Sequence, residues 1–277
     1  MFRNNYLYFI WGIFYFFATW LTLGANSMSF GITLMAYAIS LTMAFSDAGE
    51  MILRFIERVR ALETKREKYY LIPMFDDVYK SAIKKFPKLR RDIDIYIVDT
   101  MIINAYALGR NTVAVTKGAI DSLSEEELKG FIAHEIGHIA HGDTIALLLT
   151  VIGNGIFTLV VMCAQFALNI INSMVDRRGL VGAALGFMKI FFNIVLFYFY
   201  YIGQFILSIN SRKNEYAADA FAFDIGYGDD LVSALYILQD MRISDNGKLV
   251  DRLCASHPHI AKRIGTLERM IDDEDEI

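Results

Sequence analysis

Four stretches of this 277-residue chain carry almost no charge, and they restrict how it can fold more than any other feature. Tyr6 to Leu23, Ser29 to Phe45 and Thr144 to Asn172 hold no Asp, Glu, Lys, Arg or His, and Ala183 to Ser208 holds only Lys189 near one end. A bilayer core about 30 Å thick is crossed by roughly 20 apolar residues in helical form, with tilt absorbing extra length. Helix is required because lipid offers no partner to backbone N–H and C=O groups. With 55% hydrophobic residues and a mean hydropathy of +0.36, the chain is also too apolar for a soluble domain of its size. The expected fold class is a mainly α membrane protein with four transmembrane helices. A cleaved leader is the rival reading of the first run. The run is long, one Arg precedes it, no small-residue cleavage site ends it and a second span follows, so the leader is rejected.

These spans divide the chain into a first transmembrane hairpin (1–46), a polar part (47–143), a second hairpin (144–210) and a polar tail (211–277). Most Lys and Arg lie in the two polar parts, including Arg54, Arg58, Arg60, Lys65, Arg66 and Lys68 directly after the second span. Retention of basic residues on the inner side assigns both parts to the cytoplasm of a multi-pass inner-membrane protein. Arg177 and Arg178 between spans three and four run against this, and the charge-free first connection outweighs them.

Within the polar part, His134, Glu135 and His138 form an H-E-x-x-H sequence in a helical pattern. Positions i and i+4 project from one helix face, so the two imidazoles can bind one metal, with zinc the expected ion at one per chain. Glu135 then stands beside a metal that lowers the pKa of bound water from 15.7 to about 7, and can take its proton. Ser124 and Glu127 have capping-box spacing, which starts the helix ahead of the motif. A catalytic zinc site takes three protein ligands. His141 is too close a neighbour to converge on the same ion, and Thr144 stands where an elongated motif needs a third His. A later helix offers Glu215, with Asp219 one turn beyond to accept a ligand imidazole's free N–H. The plainer reading of both carboxylates is a solvated helix face, against which Ala217, Ala218, Ala220 and Ala222 permit close approach of another helix.

HEIGH, NEYAAD, SHPHIAKRI and the upstream NAYALGRN, in this order from about Asn104 to Arg263, resemble the HtpX group of membrane-embedded zinc metalloproteases, with CAAX prenyl proteases as more distant relatives. The resemblance implies a zincin-type domain with His134, His138 and Glu215 as zinc ligands and Glu135 as catalytic base. It implies that Asn104 to Ala107, with Asn104 and Ala105 foremost, form the strand beside the substrate; a plain structural hairpin is the alternative. His257 and Arg263 keep the relatives' spacing, which suggests His257 as donor to the oxyanion of the tetrahedral intermediate and Arg263 as the residue orienting the third-ligand helix. Pairing of Arg263 with Asp219 or Glu215 is the alternative for that residue. The chain departs from the group at Asn214, where relatives often carry Arg.

The remaining signals are local. A charged amphipathic helix is expected over Asp47 to Lys68 and another over Met74 to Phe86, ending before Pro87. Ile93 to Val98, Asn104 to Leu108 and Thr112 to Thr116 read as strands, with a turn at Gly109 to Asn111. Asn154, Gln165, Asn193 and Gln204 need hydrogen-bond partners between spans. Two cysteines, Cys163 and Cys254, give no disulfide framework, and a net charge of −4 gives no nucleic-acid footprint. The function expected is a membrane zinc endopeptidase acting on protein or peptide substrates, misfolded membrane proteins among them, in quality control under stress. A catalytically silent adaptor with a structural zinc and a prenyl-protein protease are the alternatives.

Overall fold

The computed structural model describes residues 6–89, 92–174, 180–244 and 260–276. The chain divides into two compact units. Of these residues, those up to 44 and within 146–208 form one, and those within 45–145 and from 209 on form the other.

The first unit is helical. It contains α1 (Tyr6–Thr22), α2 (Ser27–Ala44) and most of α7 (Asp143–Met174) and α8 (Leu180–Asp224). Its core is small and aromatic, with Trp11, Tyr15, Tyr37, Phe157 and Val161 buried together. Large apolar side chains such as Ile13, Phe14, Met35, Phe166 and Phe187 point outward. Gln165 donates to the Asn193 side-chain carbonyl at 3.0 Å, so two of the four amides expected to need partners find each other. The side chains of Asn154 and Gln204 lie outside the described set. Among the described residues, no single helix is long and apolar enough to cross a membrane.

The second unit wraps helices around a four-stranded sheet of order β1-β2-β4-β3. β1 (Val59–Arg60) is antiparallel to β2 (Asp94–Val98), β2 is parallel to β4 (Thr112–Thr116), and β3 (Ala105–Leu108) is antiparallel to β4. All five residues of β4 are buried, as a central strand requires, and β3 is left as an edge. α6 (Glu125–His141), α9 (Gly228–Ser244) and α10 (Ile260–Asp275) supply Leu128, Ile132, Ile136, Leu231, Leu235 and Leu267 to the core. α5 (Lys117–Ser122) is a short connector after β4.

Two expectations are corrected. The amphipathic helix over Asp47 to Lys68 stops after ten residues as α3 (Asp47–Ile56). Arg58 takes φ +55° and Val59–Arg60 becomes the short strand. A Thr64/Glu67 capping box then starts α4 (Lys65–Lys85), so the second helix begins nine residues before Met74 and contains Pro73 in its interior. A proline there removes one backbone hydrogen bond and costs roughly 3 kcal/mol. Burial of Leu71, Met74, Phe75, Val78 and Ala82 along one face of α4 offsets it, at ~1.5–3 kcal/mol for each large side chain.

Candidate metal centre

The capping box expected at Ser124 and Glu127 is formed, with the Glu127 carboxylate accepting from the Ser124 N–H at 2.7 Å and the Ser124 hydroxyl accepting from the Glu127 N–H at 3.2 Å. α6 therefore starts one turn ahead of its apolar positions and carries His134, Glu135 and His138 in its interior, where Ile132, Ile136 and Ile139 anchor the helix in the core. α8 crosses it closely. A Cβ on Gly137 would stand 3.1 Å from the Ala218 Cα and 3.2 Å from both the Ala218 carbonyl oxygen and the Phe221 Cβ. The glycine and the alanine-rich face of α8 together bring Glu215 to the two histidines.

One donor atom each from His134, His138 and Glu215 lies within 4.8 Å of the other two. The two Nε2 atoms are 3.2 Å apart, and Glu215 oxygens stand 3.5 Å from the His134 Nε2 and 3.6 Å from the His138 Nε2. Two nitrogens at ~2.0–2.1 Å from a tetrahedral ion are themselves about 3.3 Å apart, so the spacing suits zinc. The far side of each ring is held by a carboxylate. The His134 Nδ1 is 2.9 Å from an Asp219 oxygen and the His138 Nδ1 is 2.9 Å from an Asp143 oxygen. When those N–H groups donate to the carboxylates, both Nε2 lone pairs face each other and Glu215. That arrangement is repulsive unless a cation lies between them.

The charge balance agrees. Glu135, Glu215, Asp219 and Asp143 are buried around one buried guanidinium, that of Arg263. Burial works against a protonated His138, yet Asp143 and Glu215 outweigh it and lift its pKa to about 10. His134 is raised in the same way against burial and the nearby Arg263, by Asp219 and Glu215. The cluster is built to hold positive charge, and a divalent ion meets that demand better than a proton.

Arg263 reaches in from α10. Its Nε and Nη2 donate to the two Asp219 oxygens at 2.8 and 2.6 Å, and its Nη1 is 3.0 Å from a Glu215 oxygen. Burial opposes the ionisation of Asp219, but Arg263 and His134 hold its pKa down. Arg263 thus clamps both Asp219 and Glu215 of α8. Glu135 turns to the sheet instead, accepting from the Ala107 N–H of β3 at 2.7 Å.

Asn104 and Ala105 separate by strand parity. The Asn104 N–H donates to the Thr116 hydroxyl at 3.0 Å and its carbonyl accepts the Thr116 N–H at 3.1 Å, so its main chain is engaged by β4. Alternation then turns the main-chain groups of Ala105 and Ala107 toward the open edge, as the Ala107 contact with Glu135 requires. His257 lies outside the described residues. Asp143 has no part in the expectations from sequence; the signal for it is Gly142, whose φ of +74° caps α6 and folds the next residue back onto His138.

Residues 65–271, well over half of the chain, match "Peptidase family M48". Protease HtpX of Shewanella oneidensis is 30% identical over 194 residues, covering 63% of this chain and 67% of its own. A Protease HtpX homolog of Bacteroides fragilis is 31% identical over 250 residues, covering 79% and 73%. Among solved structures, that of S. mikatae Ste24p aligns at a TM-score of 0.51 and 22% identity over 83% of this chain, a likeness of fold. The chain spans 56% of the Ste24p chain. The sequence match together with the alignments assigns the protein: the chain belongs to peptidase family M48.

Proposed function

We propose that the chain is an integral membrane zinc-dependent endopeptidase, with one zinc held by His134, His138 and Glu215. The observation that carries the reading is the convergence of these three donors with both histidine Nδ1 atoms backed by carboxylates. Bound zinc supplies a Lewis acid that makes water nucleophilic near neutral pH and polarises the scissile carbonyl. Asp219 and Asp143 fix the tautomer and aim of the two rings. Arg263 orients the third-ligand helix through its clamp on Asp219 and Glu215.

Glu135 is the general base, taking the proton of the attacking water and delivering it to the leaving amine. Its bond to the Ala107 N–H aims the carboxylate along the edge of β3. An extended substrate adds to that edge as a further strand, pairing with main-chain groups of Ala105, so that the scissile bond lies beside Glu135. His257 is proposed as the oxyanion donor. The four nearly uncharged runs and the apolar exterior of the helical unit support four spans, with residues 47–143 and 211–277 in the cytoplasm. The substrates proposed are misfolded membrane proteins.

The test is proteolysis of casein by the detergent-purified chain, stripped with chelator and then given zinc. Cleavage that returns with zinc in the wild type and not in Glu135→Gln is the expected result. Zinc-independent cleavage, or equal cleavage by both forms, overturns the reading.

A further inference from the structure

α3 sits with its polarity reversed. Glu50, on the side that meets the rest of its unit, is buried, accepting from the Asn111 N–H at 2.9 Å in the turn between β3 and β4 and from the Thr112 hydroxyl at 2.7 Å at the start of β4. Arg54, one turn on, bonds the Tyr96 hydroxyl and lies 4.6 Å over its ring. The opposite face carries Met51, Ile52, Phe55 and Ile56, at i, i+1, i+4 and i+5, and all four are exposed, Phe55 at 84% and Ile56 at 64%. An amphipathic helix normally buries its apolar stripe and wets its polar one. Here carboxylate and guanidinium face inward and the hydrocarbon faces out.

We infer that this face of α3 is seated in the lipid surface of the bilayer, as an interfacial helix. The inference rests on the membrane reading of α1 and α2 proposed above. Lipid is chosen over a protein partner because of chain continuity. α3 begins three residues after α2 ends, at Ala44, so a chain leaving the bilayer there must place α3 at its surface. The helix also has the form that interfaces select. An apolar face dips ~5–10 Å into the headgroup boundary, and cations nearby meet anionic lipid. Arg58, Lys65, Arg66 and Lys68 follow as exposed cations, interspersed with exposed Glu57 and Glu63. Because Glu50 grips the turn that ends β3, seating α3 also fixes the strand whose Ala107 N–H holds Glu135.

The experiment uses the full chain with Cys163→Ser and Cys254→Ser in vesicles of phosphatidylcholine and phosphatidylglycerol. An environment-sensitive fluorophore is attached at Phe55→Cys, at Ile13→Cys on the exposed side of α1, or at Lys84→Cys on α4. Quenching by nitroxide lipids is compared with quenching by iodide. The inference expects Ile13→Cys to be quenched by lipid only, Lys84→Cys by iodide only, and Phe55→Cys by lipid, more from a shallow nitroxide than from a deep one. If Ile13→Cys escapes lipid quenching, the membrane reading fails and takes the inference with it. If Ile13→Cys is quenched by lipid while Phe55→Cys behaves like Lys84→Cys, the inference alone is overturned. Shielding of Phe55→Cys from both quenchers overturns it as well, in favour of a protein partner or a second copy.

Discussion

Gly137→Ala tests how closely the third-ligand helix must approach. The added methyl meets the Ala218 Cα at 3.1 Å and two further atoms of α8 at 3.2 Å, against about 3.5–4.0 Å for a relaxed carbon contact. α8 must retreat by a few tenths of an ångström, and overpacking of this kind costs about 1–3 kcal/mol. Alanine's helix preference over glycine, roughly 1 kcal/mol, offsets part of the loss equally with and without metal. What differs is the freedom to relax: without metal α8 can retreat from the methyl, whereas with zinc bound that retreat draws Glu215 away from the two histidines while zinc bonds tolerate ~0.2 Å. If the strain falls on the metal-bound form, affinity drops by about tenfold for each 1.4 kcal/mol, on the order of 10- to 100-fold in all. Competition with a chromophoric chelator measures the affinity, and melting with and without zinc separates it from folding. Unchanged zinc affinity in a folded Gly137→Ala chain would refute the argument that helix proximity sets the ligand geometry.

Asp143→Asn keeps all three donors but weakens the grip on the His138 Nδ1, and is expected to lower zinc affinity about 10- to 100-fold by the same titration with fold intact. Glu67 accepts from Arg60 at 2.8 Å and caps α4, which holds its pKa down at about 2. A carboxylate depressed in the folded state stabilises above its unfolded pKa near 4.3 and loses that stability as pH falls toward 2, so Glu67→Gln should melt lower than wild type at neutral pH, with the gap closing over that window. For topology, an impermeant thiol reagent on intact cells should label Ser27→Cys and spare Lys88→Cys; the reverse pattern inverts the proposed orientation.

The metal helix was legible because a capping box, an apolar stripe and the i, i+4 histidines all report the same 3.6-residue period. From the residues alone Glu215 and Asp219 were legible as a pair one turn apart beside alanines that permit close approach, and the ligand role of Glu215 came from the family resemblance. What joins them to α6 is the missing side chain of Gly137, an absence that periodicity does not register. The break after α3 was harder to see. The apolar period runs on past Ile56, and Thr64 and Glu67 become a cap only once Arg58 has turned the chain. The start of α4 ahead of Met74 places Pro73 inside the helix, where a propensity penalty of a few kcal/mol is smaller than the burial gained along α4. Asp143 lies five residues past the last histidine of the motif, and its role depends on a backbone reversal at Gly142 rather than on helical spacing.

If Glu135 acts on water while Glu215 holds the metal, the two roles separate when zinc content and casein cleavage are measured together on wild type, Glu135→Gln and Glu215→Ala. About one zinc per chain is expected in wild type and in Glu135→Gln, with cleavage lost in the second, and loss of both zinc and cleavage in Glu215→Ala. Full zinc in Glu215→Ala, or cleavage by Glu135→Gln at the wild-type rate, would contradict that assignment.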